Sequence, residues 1–157
     1  VIKFQIIQYA SINEAIIDYV LDTYHRGSSE LQKISMTDEL KPVAAFSKNT
    51  KLTFNENNKD LPIYTCKNVT KSLKLKEVRF NKKLEASVSL NIVDQRIADR
   101  ILFFYELRNN VHLTTASINK FYPNVSQSIE AFETLDIFIK KVKTHLKGIS
   151  TPSKIIK

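Results

Sequence analysis

The residues with the clearest capacity for chemistry stand together at Arg108, Asn109, Asn110 and His112, within Glu106-Leu107-Arg108-Asn109-Asn110-Val111-His112. Arg108 and His112 are four apart, which sets them one above the other on the same side of a helix. An imidazole titrates near neutral pH and can take a proton from a hydroxyl. A guanidinium is a positive, forked donor suited to charge growing on phosphate oxygens. Together they suit metal-free proton transfer beside a phosphate group. Asn109 and Asn110 are placed to orient the phosphate or the ring. An equally simple alternative is that Arg108 and His112 cap the carbonyls at a helix C-terminus.

The element that must position this cluster is the stretch from Asp94 to Val111. Ile97, Ile101, Phe104, Leu107 and Val111 recur at helical steps, which predicts a core helix, and Asp94 is a fair N-cap for it. Residues 2–24 predict a first helix that is apolar over much of its circumference. Ile6, Tyr9, Ile16, Val20 and Tyr24 form one stripe, widened by Ile2, Ile7, Ile12, Ile17 and Leu21. Such a helix has one face for a bundle and another for a dimer interface. His25 sits at its C-terminus as a dipole partner, and Gly27 follows as a residue for a positive φ. A final helix over 125–147 is predicted from Val125, Ile129, Phe132, Leu135, Ile139, Val142 and Leu146. Asn124 caps it, Gly148 closes it, and His145 lies in its last turns.

The middle of the chain is less regular. Ser35 to Asp38 resembles a cap for a short helix through Leu40, stopped by Pro42. Lys51 to Phe54 and Leu61 to Cys66 flank a polar turn and read as a β-hairpin or two extended arms. Residues 69–84 predict a short basic helix, 85–93 an extended connection, and 114–122 a loop. The expected class is therefore mainly α: a helical bundle over 1–148 with a small β-hairpin or extended insertion at about 42–68, and a flexible tail over 149–157.

Composition narrows the function classes. The 157 residues carry 24 Lys and Arg against 16 Asp and Glu, a net charge of +8 that suits an anionic partner. The lysines are dispersed, so a solvated surface accounts for them equally well. Cys66 is the single cysteine, and the three histidines have no metal-ligand spacing, so neither a metal site nor another cofactor is expected. No apolar run reaches membrane-spanning length and no signal peptide is visible, so a cytoplasmic protein without a membrane partner is expected.

The run Glu106-Leu107-Arg108-Asn109-Asn110-Val111-His112-Leu113 resembles the Arg-Asn…His signature of HEPN domains. The order of an apolar opening helix, a variable middle, the motif at the end of a long helix and an amphipathic closing helix is similar too. The family pattern is usually written with four to six residues between Arg and His; here there are three. The resemblance implies a helical bundle that dimerises and brings two motifs into one cleft. It implies a metal-independent endoribonuclease of toxin–antitoxin or phage-defence type, with Arg108 and His112 as catalytic pair, Asn109 and Asn110 toward RNA, and an antitoxin or other partner protein. Family members that only dimerise, or bind a nucleotide or protein, supply the alternative.

Overall fold

The computed structural model describes residues 2–43, 53–57, 59–62, 66–111 and 123–149. The protein is mainly helical, with a small antiparallel β insertion between helices. The order is α1 (Ile2–Tyr24), α2 (Ser29–Ser35), β1 (Met36–Pro42), β2 (Thr53–Glu56), β3 (Lys59–Pro62), β4 (Cys66–Ser72), a 3₁₀ turn (Leu75–Glu77), α3 (Phe80–Ser89), α4 (Gln95–Val111) and α5 (Val125–Gly148). Two compact units result: residues 1–34 with 74–157, and residues 35–73.

In the helical unit α1 packs against α3, α4 and α5. Gln5 meets Ser128, Tyr9 meets Phe132 and His25 meets His145, so α1 and α5 run parallel. Arg100 bonds Glu130 and Asp94 bonds Lys141, so α4 runs antiparallel to α5. The core has a larger part around Ile17, Val20, Leu21, Phe80, Leu84, Ile97, Ile101, Leu135, Phe138 and Val142. A smaller part joins Ile6, Phe104, Leu107 and Ala131. Each fully buried side chain of this size stabilises the fold by roughly 1.5–3 kcal/mol. On α3 the buried Lys83 reaches Asp18 of α1 at 2.7 Å, so the ammonium enters the helix interface with its counter-charge.

The long helices start where their caps dictate. Asp94 Oδ1 accepts from the Ile97 N–H at 3.0 Å, and that bond, followed by Lys141, holds the Asp94 carboxyl below its usual value. At α5, Asn124 Oδ1 accepts from the Gln127 N–H at 2.9 Å while Gln127 Oε1 accepts from the Asn124 N–H at 3.0 Å, a reciprocal capping box.

Several expectations are corrected. Residues 36–40 are not a helix: the short helix ends at Ser35, and β1 pairs antiparallel with β4 from Met36↔Ser72 to Pro42↔Cys66. That ribbon replaces the start of the expected basic helix over 69–84, whose remainder is the 3₁₀ turn and the first residues of α3. The extended connection over 85–93 is largely α3, because Phe80, Leu84 and Ser87 recur at helical spacing and are buried. The hairpin is present as β2–β3, from Thr53↔Pro62 to Glu56↔Lys59, but it lies within a wider insertion than 42–68. Neither glycine takes a positive φ. Asn57 and Asn91 do, at 52° and 55°, the latter in the tight turn between α3 and α4.

The expected stripe of α5 holds for Leu135, Ile139, Val142 and Leu146, which line the core, but not for its first half. Val125, Ile129 and Phe132 are 59, 55 and 55% exposed, while Ser128, Ala131 and Thr134 are buried. The buried hydroxyls of Ser128 and Thr134 are satisfied by Gln5 Oε1 and the Glu130 carbonyl. The 114–122 loop and residues 150–157 of the tail lie outside the described residues.

Replacing Asp94 by Ala removes the α4 cap and should lower stability by about 1 kcal/mol, read as a lower urea midpoint at pH 7. The deficit should shrink as pH falls through the depressed Asp94 value, because the wild-type carboxylate loses its charge there. An unchanged midpoint at pH 7 would contradict the capping role.

Candidate functional site

The final turn of α4 is anchored by Phe104 and Leu107, both buried. Arg108, one residue further, is thereby turned toward α1 at the edge of the core. Its Nη1 donates to Glu14 Oε2 at 2.7 Å and, at 3.4 Å, to Ser11 Oγ. The guanidinium carbon lies 4.6 Å from the centroid of the Tyr105 ring, and Tyr105 itself stacks on Phe80 with centroids 4.3 Å apart. The Arg108 side chain is 16% exposed and that of Glu14 30% exposed. A cation gripped on two sides in this way has lost most of its rotamer freedom.

The other edge of the fork is less committed. Nε and Nη2 both face Asn109 Oδ1 at 3.4 Å, near the limit of a hydrogen bond. Among the described residues, the hydrogen bonds of the Arg108 side chain all end on side chains rather than on carbonyls of α4. Carbonyl capping by Arg108 is therefore not what this geometry supports. Asn109 and Asn110 are exposed beside it. His112 lies outside the described residues, and so does its placement relative to Arg108.

Sequence reasoning missed Glu14 and Ser11. A signal existed: Glu14 is the first acidic residue in the chain, set in a helix otherwise apolar or neutral from Phe4 to Ile17. What no spacing rule supplies is that α1 crosses α4 at that level. Next to Glu14, Asn13 is fully buried, and neither its Oδ1 nor its Nδ2 has a hydrogen-bond partner among the described residues.

Elsewhere, an open cleft of about 410 Å³ is lined by Gln5, Tyr9, Val125, Ser128, Ile129 and Phe132. Another, of about 490 Å³, has the mixed charges Arg96, Arg100, Glu130 and Glu133. Among the described residues no group of three or more His, Cys, Asp or Glu is placed to hold a metal ion, and no helix is long and apolar enough to cross a membrane. No protein-family model, curated protein or solved structure matches this chain.

A double-mutant cycle between Glu14→Gln and Arg108→Gln should return a coupling on the order of 1 kcal/mol, since both groups are shielded from water and in direct contact. Strictly additive effects would show that the pair contributes nothing beyond its separate parts.

Proposed function

We propose that the chain is a HEPN-like endoribonuclease that cleaves RNA without a metal, by attack of a 2′-hydroxyl on the neighbouring phosphorus. The observation that carries this reading is the state of Arg108: it is fixed by Glu14 and Tyr105, yet its Nε/Nη2 edge is met among the described residues only by Asn109 at 3.4 Å. A phosphate oxygen is a stronger acceptor than an amide carbonyl and displaces such a contact at little cost. The donor is thus organised before the substrate arrives, which is the condition for stabilising charge in a transition state.

In this reading His112 takes the 2′-hydroxyl proton as the oxygen–phosphorus bond forms. The bond to the 5′-oxygen breaks, and that oxygen takes a proton as it leaves. Arg108 holds the non-bridging oxygens through the change, while Asn109 and Asn110 orient the phosphate. A homodimer would set two such groups in one cleft. A cytoplasmic toxin or phage-defence role, with an antitoxin or other partner protein as restraint, belongs to the same proposal.

A second reading has its own supporting observation. Val125, Ile129 and Phe132 expose an apolar stripe on α5 beside Tyr9, and Glu14 offsets the charge of Arg108. Both suit a non-catalytic helical module for dimerisation or for binding a nucleotide or protein.

The purified protein should cut single-stranded RNA in EDTA and leave 2′,3′-cyclic phosphate ends. Arg108→Ala and His112→Ala should each reduce the rate by at least 100-fold, on the order expected for losing a transition-state donor or a general base. Cleavage that persists in both variants overturns the enzyme reading, and its absence from the wild type favours the binding module.

A further inference from the structure

The parallel course of α1 and α5 brings their C-terminal ends together, and each end carries a histidine. His25 Nε2 and His145 Nε2 are 3.0 Å apart, with ring centroids at 5.2 Å and planes inclined by 38°. An imidazole centroid lies about 1.1 Å from its ring nitrogens, by standard covalent geometry. The centroid separation is therefore close to that of two nitrogens pointing at each other along one line. That is the arrangement of an N–H···N hydrogen bond. Two ligands converging on a shared metal would bring the centroids closer.

We propose that His25 and His145 form a proton-dependent clasp that joins the ends of α1 and α5 until both rings are charged, and then releases them. With both rings neutral, one Nε2–H donates to the other Nε2. A first added proton enters at Nδ1 of the donor ring and makes the bond charge-assisted. A second must occupy the accepting Nε2, which removes the acceptor and sets two cations in contact. The pair therefore binds its two protons with opposed effects on the same bond.

The surroundings decide the direction. Burial, followed by the charge of His145, lowers the His25 pKa from its ordinary 6.5, and Glu30 of α2 opposes this. Glu30 is itself held below its ordinary value, chiefly by backbone and Ser29 hydrogen bonds, and Lys33 also acts on it. Asp22 of α1 and Arg26 of the turn that follows it are bound to each other at 2.8 Å. On α5, Lys141 is tied to Asp94 at 3.3 Å, and Lys143 and Lys147 are exposed. Glu30 is thus the carboxylate acting on the pair, against a lysine-rich helix end. An imidazole with a lowered folded-state value binds its proton more tightly in the unfolded chain. Its contribution is present above pH 6.5 and is lost as pH falls from there toward the folded value. The apolar contacts beneath the clasp, Leu21, Val142 and Leu146, are what the released helix ends would expose.

The test is urea unfolding at pH 7.5 and 5.5 in a His112→Gln background, which leaves His25 and His145 as the remaining imidazoles. Both pH values lie above the lowered carboxyls of Glu30 and Asp94. The unfolding constant should rise at the lower pH, because the unfolded chain binds the His25 proton more tightly than the folded one. His25→Gln, whose amide can donate and accept but does not titrate in this range, should remove most of that rise. His145→Gln should do the same and serves if the first variant folds poorly. Imidazole nitrogen spectra of the background protein should show a hydrogen-bonded Nε2–H at pH 7.5 that is lost on acidification as the second ring takes its proton. A pH-independent unfolding constant, a rise retained in both variants, or two rings titrating independently would each overturn the clasp.

Discussion

One constraint orders the helical unit: a single face of α1 must be buried against α4 and α5 at once. Ile6, Ala10, Asn13, Ile17, Val20 and Leu21 are the residues it commits, and all are nearly inaccessible to water. Because that face is occupied along its length, the level at which α4 and α5 cross α1 leaves little choice. At one level Glu14 meets the final turn of α4 and grips Arg108. At the far end the parallel course of α5 delivers His145 to His25. Neither pair is close in sequence, and both depend on how α1 is covered.

The same packing explains a feature that runs against hydrophobic economy. Ser128, Ala131 and Thr134 take the buried face of this part of α5, so the larger Val125, Ile129 and Phe132 lie on the outside. Their exposure is tied to the small residues opposite. Asn13 is the complementary oddity, an amide buried on the committed face without a hydrogen-bond partner among the described residues. An unmet amide costs about 1–3 kcal/mol, which the surrounding apolar burial offsets.

Legibility in the sequence followed the range of the interactions. Helices α1, α4 and α5 were readable because their burial repeats locally at three and four residues, and the caps Asp94 and Asn124 sit where a side chain meets its own helix end. The strand Met36–Pro42 was not, since Asp38, Glu39 and Leu40 suit a helix locally and are held extended by partners some thirty residues away. The second half of α3 was hidden because residues 85–93 alternate like an extended segment, while its lysine-bearing start lay within the expected basic helix, where Lys83 is buried against Asp18 rather than solvated. In the candidate site, Arg108, Asn109 and Asn110 were legible as a polar cluster ending an apolar helix. Glu14 and Ser11 were not, because the contact that recruits them is tertiary.

In the function we propose, Arg108 is a fixed donor whose Nε/Nη2 edge, met by Asn109 at 3.4 Å, takes a phosphate. The most direct test observes the side chain itself, by the Nε–H resonance of Arg108 during titration with a single-stranded oligonucleotide whose 2′-hydroxyls are replaced by hydrogen. Such an oligonucleotide can bind but cannot be cut, so binding is seen apart from catalysis. The expected result is a resolved Nε–H resonance, since the Glu14 contact at Nη1 holds the guanidinium in place, with a saturable shift on titration and no shift with an uncharged methylphosphonate analogue. A resonance that stays in place while the oligonucleotide binds elsewhere, or does not bind, would contradict it.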